Sequence, residues 1–344
     1  MRARLWLAIL AAASTCVALS AAAEPFLLGP PPRPGGEPVV VRASFELRDL
    51  NRIDDESEVF EFEGSLVLEW QDARQAFDPR ETGVDEKVFQ GDYQFDEIAT
   101  GWFPQVVLVN ESGLFEQNGV LLRVRPDGSM RLVQRLNAAA KTDLDLRAYP
   151  FDRQRLEALF EVLGFDASEV VFEHAGAPVE GNGVRLPQWE IGRIETSVRR
   201  SGTASTLVLS VEAGRKSLFM IRLVVVPLFV IVLLSWSVFW MDKSSVGDRV
   251  NISFVAVLTV VAYQIVLSEI LPRISYLTLM NGFLNMSFFV VCASVVVSLW
   301  VGMLDRRGEV AKGDRIDHHC RWIFPLTYLG LLVLVGVATS WVVA

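Results

Sequence analysis

Seven side chains, Asp248, Asn251, Val255, Leu258, Ala262, Ile265 and Glu269, follow one another in alternating steps of three and four. That spacing puts them on one face of an α-helix. The order is acid, amide, four apolar or small side chains, acid. A flank that begins and ends on carboxylates does not suit lipid. It suits a water-filled passage, where the acids attract cations and the apolar middle gates by shedding water. Leu258 and Ile265 are the expected gate, because Val255 and Ala262 carry smaller side chains. A buried bundle helix with its acids at the membrane surfaces would give the same pattern, so the rest of the chain has to decide.

Other chemistry has little to build on. An enzyme needs a nucleophile with a base, or a metal cluster. The segment 38–215 holds one histidine, His174, and no cysteine, and it has no G-x-S-x-G string. His318-His319-Cys320 is a poor metal tract, since adjacent side chains point apart. The expectation is no enzyme, no metal and no cofactor.

The candidate stripe needs a membrane around it, and the composition supplies one. Of 344 residues, 51% are hydrophobic, and the long apolar runs lie in the last third. Residues 24–216 hold 34 acids and 21 bases, and the rest holds 7 and 11. This acidic part argues against nucleic acid as a partner and favours cations nearby. Residues 1–23 read as a secretory signal, with Arg2 and Arg4 before an apolar run and Ala21-Ala22-Ala23 at its end. Residues 24–37 read as a flexible leader rich in proline and glycine. Residues 38–215 read as one exported β-sandwich, without a disulfide to hold it. Strands are expected at 39–48, 59–70, 119–125, 130–136, 170–174 and 207–211, with a Pro126-Asp127-Gly128 turn and a short helical piece at 85–90. Residues 216–344 read as a transmembrane domain with spans near 218–241, 250–271, 277–304 and 322–344. Pro227, inside the first span, requires neighbours that satisfy the carbonyl it frees. The segment 305–321 is expected to be a cytoplasmic loop; its Arg306, Arg307, Lys312, Arg315 and Arg321 fit the positive-inside bias.

Three strings in the exported part carry a resemblance. They are Trp70-Gln71-Asp72-Ala73-Arg74, Trp102-Phe103-Pro104-Gln105 with Leu108 and Asn110 behind it, and Tyr149-Pro150-Phe151-Asp152. In this order, ahead of four apolar spans, they resemble the pentameric ligand-gated ion channels, the Cys-loop receptor family, most of all its bacterial members. The family's bridging cysteines would fall at Thr142 and Leu156, so the disulfide is absent. The L-T-V-V-A-Y and S-E-I-L-P strings resemble the family's pore helix. Its anion channels carry a Pro-Ala pair at the inner mouth, where this chain has Val246-Gly247-Asp248.

The resemblance implies a five-fold symmetric homopentamer in a bacterial inner membrane. Each chain would carry a periplasmic β-sandwich domain followed by a four-helix transmembrane bundle. A small extracellular ligand, ion or proton would open the pore to permeant cations. One carboxylate about 6 Å from an ion contributes roughly 2–3 kcal/mol at an effective dielectric near 20, so acid rings at both mouths favour cations. Coupling between the two domains is expected from Asp54, Asp55, Glu56, Tyr149, Pro150, Phe151, Asp152, Arg215, Pro272 and Arg273. The family's aromatic cage positions fall on Ser65, Val109 and Leu163, which makes a choline-like agonist doubtful. Phe165, Arg199 and Arg200 are the candidate ligand contacts, the two arginines lying in a presumed capping loop at 195–206. The alternative reading is a membrane-anchored periplasmic sensor that binds a ligand and conducts nothing.

Overall fold

The structure, a computed structural model, describes residues 30–91, 101–176, 184–241 and 246–343. The expected signal segment and residues 24–29 of the expected leader lie outside the described residues.

Among the described residues ten strands form two sheets. β1 (Val39–Asp54), β2 (Val59–Gln71), β3 (Lys87–Gly91), β5 (Glu111–Val124), β6 (Ser129–Lys141) and β8 (Val170–His174) make the first, in the order β3-β5-β6-β2-β1-β8. β4 (Val106–Leu108), β7 (Arg153–Val162), β9 (Trp189–Ser201) and β10 (Ala204–Arg215) make the second, in the order β4-β7-β10-β9. Along β2 and β6 every second residue is buried, as a sheet with one covered face requires. Phe45 of β1 and Phe62 of β2 meet Phe160 of β7 between the sheets, at ring distances of 5.3 and 6.4 Å. The six expected strands are all present, most of them longer than the sequence suggested.

One expectation is corrected here. The stretch 85–90, expected to be helical, leads into and forms most of β3, paired with β5; a short polar edge strand has too few apolar positions to show its period. The capping loop 195–206 is a tight hairpin, with β9 and β10 paired up to Ser201 and Ala204.

Helices follow β10. Leu218–Trp240 is one helical stretch of changing pitch: a short turn, a π-helical turn at Ile221–Val225, α1 (Val226–Ser235) and a 3-10 end at Trp236–Trp240. Pro227 sits in the first turn of α1. It has no N–H for the carbonyl of Leu223 four residues back, and the Tyr263 hydroxyl of α2 (Val246–Leu267) donates to that oxygen. The requirement read from Pro227 is thus met by a neighbouring helix. α3 (Leu279–Arg306) and α4 (Val310–Val343) complete the set. The stretches Leu218–Trp240, Gly247–Leu267 and Leu279–Arg306 are long and apolar enough to cross a membrane.

The expected loop at 305–321 is also corrected. α3 runs to Arg306, a turn with Gly308 at φ 79° follows, and α4 begins at Val310. The polar first third of α4 is helical because Gly313, Asp317 and Cys320 bury a stripe at helical spacing, continued by Tyr328. Asp317 holds Arg249 of α2 in a bidentate ion pair at 2.9 and 3.0 Å, both side chains almost fully buried. Arg321 donates to the Phe239 carbonyl at 2.9 Å.

Candidate functional site

In the single protomer α2 has a covered and an open flank. Arg249, Ser253, Val260 and Leu267 are buried. Asp248, Asn251, Val255, Leu258, Ala262, Ile265 and Glu269 are all exposed, with Leu258 at 68% and Ile265 at 65%. The open arc is wider than the stripe and includes Ile252, Phe254, Thr259 and Val266. Glu269 differs from expectation in one respect. α2 ends at Leu267, so this acid stands on the turn that follows rather than on the helix. It lies 3.5 Å from Arg273, both side chains well exposed.

The joint between sheets and helices is built around Arg215, the last residue of β10. Its guanidinium donates to Asp152 at 2.9 and 3.3 Å and to Asp55 at 2.7 Å. It also lies over the rings of Trp189 and Tyr149, at 4.1 and 4.7 Å from their centroids. Such cation–π contacts gain strength when water is excluded, and the Arg215 and Asp152 side chains are 4% and 1% exposed. Gln154 donates to the second oxygen of Asp152 and accepts from the Asp145 N–H, so the acid is fixed from behind. Burial pushes the Asp55 carboxyl above its ordinary range, and Arg215 pulls it part of the way back. Burial also pushes the Tyr149 phenol up to about 12.

Several expected members stand apart from this cluster. Asp54 pairs with Arg52 and caps the N–H groups of Glu56 and Ser57. Glu56 itself is exposed. Pro150 and Phe151 line an apolar cavity of about 410 Å³ with Ile221, Val225, Leu279 and Phe283. Pro272 accepts from the Ile274 N–H, and Arg273 faces Glu269. What ties the linker after α2 to the Tyr149 loop is Tyr276, which the sequence reading missed. Its hydroxyl accepts from the Leu146 N–H and donates to the Leu144 carbonyl, each at 3.1 Å, and the Leu279 N–H donates to the Arg147 carbonyl. Trp189 and Gln154 were missed as well. A lone Tyr four residues after Pro272 was the available signal, but the sequence gives no partner for it.

The other strings are structural. Asp72 is fully buried, caps the turn after β2 and binds Arg74 at 2.7 and 2.8 Å. Trp70 and Trp102 meet edge to face at 6.0 Å, and Asn110 bridges the backbone of Lys141, Glu157 and Leu159. Of the candidate ligand contacts, Phe165 packs on Trp102 at 6.0 Å, Arg199 pairs with Glu157 at 2.9 Å, and Arg200 is exposed. Among the described residues no hydrogen bond, ion pair or ring contact joins these three.

Residues 29–208 match the family model of the neurotransmitter-gated ion-channel ligand binding domain, and residues 224–315 match that of the neurotransmitter-gated ion-channel transmembrane region. The chain is 26% identical over 313 residues to a proton-gated ion channel of Gloeobacter violaceus, covering 88% of this chain and 84% of that one. It is 28% identical over 283 residues to a gamma-aminobutyric acid receptor subunit beta-like protein of Drosophila melanogaster, covering 77% of this chain and 56% of that one. With a gamma-aminobutyric acid receptor subunit beta-4 of Gallus gallus the identity is 26% over 284 residues, covering 78% and 56%. The chain spans little more than half the length of these two receptor subunits. Two sheets carrying a charged joint, and behind them apolar helices of which one offers an acid-ended open flank, fit what these matches describe: the chain belongs to the neurotransmitter-gated ion channels, the pentameric ligand-gated family, whose members are channels and not enzymes.

Proposed function

We propose that five copies of this chain surround a cation-selective pore lined by Asp248, Asn251, Val255, Leu258, Ala262, Ile265 and Glu269, with Leu258 and Ile265 as the gate. The observation that carries this reading is that six of the seven positions lie on the open flank of α2, with Glu269 exposed on the turn that follows, while the opposite flank is covered by the chain's own helices. The helices would cross a bacterial inner membrane four times, with the sheets in the periplasm.

Selection falls mainly to Asp248. The next residue, Arg249, is neutralised by Asp317 in a buried pair and turned away from the open flank. A ring of five Asp248 side chains therefore faces no free cation on its own helix turn. Glu269 has Arg273 beside it; an exposed pair of this kind is worth only about 0–1 kcal/mol, yet it dilutes the outer ring. Opening would begin at the joint: a stimulus that moves β10 pulls on Arg215, Asp55 and Asp152, and Tyr276 passes the movement to the linker between α2 and α3. Arg215, Asp152 and Tyr149 are the core of this coupling, with Asp54, Glu56, Pro150, Phe151, Pro272 and Arg273 around it. Arg200, exposed near the β9–β10 turn, suits an anionic ligand at the boundary with a neighbouring copy; Phe165 and Arg199 are already engaged and play a lesser part. The proton named in the Gloeobacter relative's description is the second stimulus, supported by the raised pKa of Asp55.

The test is current from the purified protein in planar bilayers, with pH steps and small carboxylates as stimuli and a tenfold potassium chloride gradient across the membrane. The expected reversal potential lies near that of potassium, and Asp248→Asn moves it towards zero more than Glu269→Gln does. A reversal potential near that of chloride overturns the selectivity. Complete absence of current under every stimulus favours the non-conducting sensor.

A further inference from the structure

Two consecutive polar residues on α2, Tyr263 and Gln264, are not explained by the pore, since neither belongs to the stripe. Each reaches a backbone carbonyl on a different neighbour. The Tyr263 hydroxyl donates to the Leu223 carbonyl and comes within 3.5 Å of that of Val224. Both oxygens belong to the π-helical turn ahead of Pro227, where the missing proline N–H leaves an acceptor free. The Gln264 amide donates to the Leu284 carbonyl of α3 at 3.3 Å.

The two are flanked by Ala262 and Ile265, stripe positions on the open side. Neighbouring residues on a helix point about 100° apart, so the two side chains grip different partners from one level of α2. Rotation of α2 about its axis in one direction stretches the Tyr263 bond, and rotation in the other stretches the Gln264 bond. In an apolar surrounding a donor that loses its partner finds no water to replace it. We infer that Tyr263 and Gln264 are positioning residues that set the rotation of α2, and so decide which side chains face the pore at the level of Ile265. This rests on the pore reading proposed above.

The test is cysteine labelling of the full-length protein in liposomes with a water-soluble, membrane-impermeant thiol reagent. Single cysteines at Val261, Ala262, Ile265 and Val266 are compared in three backgrounds: the native sequence, Tyr263→Phe and Gln264→Met. Cys292 and Cys320 are replaced by serine in all of them. Both substitutions keep the bulk and remove the hydrogen bond, and size-exclusion profiles confirm assembly. In the native background, Ala262 and Ile265 are expected to react at least tenfold faster than Val261 and Val266. In either variant the preference is expected to fall at least threefold, with Val261 or Val266 gaining reactivity. An unchanged labelling pattern in both variants overturns the inference while leaving the pore intact. No preference for Ala262 and Ile265 in the native background overturns the pore reading and this inference with it.

Discussion

Arg215 is held by two carboxylates and two aromatic rings, yet the two acids differ in kind. Asp152 is sealed in, at 1% exposure, and Asp55 keeps an edge in solvent at 19%. Burial nonetheless raises the Asp55 pKa. A carboxyl whose folded pKa lies above its unfolded value adds stability in full below that unfolded value, near about 4, and loses the addition as pH rises through the folded one. Acidification from neutral pH therefore protonates Asp55 before the ordinary surface acids, and one arm of Arg215 loses its charged partner. Asp55→Asn holds the site in that neutral state. We expect the variant to lose the part of the pH response of current or thermal stability that lies above the usual carboxylate range. A pH profile matching the parent's would remove Asp55 from the stimulus pathway. The meeting of Arg215 with Asp152 was legible, because the resemblance carried by the Tyr149-Pro150-Phe151-Asp152 string brings both to one joint. The choice of Asp55 over Asp54 and Glu56 was not. Three adjacent acids are equivalent in one dimension, and only the turn, where Asp54 is spent on capping two N–H groups, singles out the middle one.

At the level of elements, the most legible feature is a turn. Pro126-Asp127-Gly128 links β5 and β6, with Asp127 accepting from the Ser129 N–H and hydroxyl. Gly128 has φ 78°, and a Cβ there would stand 2.5 Å from the Asp72 carbonyl oxygen. The Gly128 carbonyl also accepts from the Asp72 N–H at 2.9 Å. This turn therefore sits against the start of the buried Asp72–Arg74 pair. Gly128→Ala is expected to cost at least the roughly 1–2 kcal/mol of a left-handed non-glycine residue, with the clash against backbone added. Thermal unfolding followed by tryptophan fluorescence checks this, through Trp70 and Trp102 nearby; an unshifted transition would mean the turn relaxes freely. The strands that went unread, β4, β7 and β9, fail for identifiable reasons. β7 buries Gln154 at an inward position, and β9 carries Arg193, Arg199 and Arg200 on a half-exposed edge, so neither shows clean alternation. The lead of α4 looks like loop in the sequence because its buried stripe includes a glycine and an acid. Asp317 can be buried only with Arg249 opposite, a partner 68 residues away, which no local pattern reveals.

The whole molecule poses the problem of what covers α2. In the most apolar window of that helix only 17% of residues are buried by the chain itself, against 39% for α3. A lipid-facing helix can be that open, but α2 exposes Asp248, Asn251 and Thr259 along with its apolar residues. Polar side chains of this kind face protein or water within a membrane, not acyl chains. In the proposed assembly the exposed sides of Phe254, Ile252 and Val266 would fit against neighbouring copies, and the stripe would turn to a shared water-filled axis. α3 and α4 are different: Phe289, Val296, Trp300, Leu326, Val333 and Leu334 are exposed and uniformly apolar, which suits lipid. On the proposed reading the open flanks would order the helices from axis to bilayer, with α2 innermost, in an assembly closed by rotation, since an open chain of copies would leave two α2 flanks uncovered. For a family of pentamers the number expected is five. Native mass spectrometry of the detergent-solubilised protein should give a dominant species of five chains, and Asn251→Leu, which removes a polar group from the pore side rather than from a contact, should leave that number unchanged. A dominant monomer or dimer under conditions that keep the fold would mean that α2 meets lipid after all. The acid-ended stripe would then be a surface feature of a bundle and not the lining of a channel.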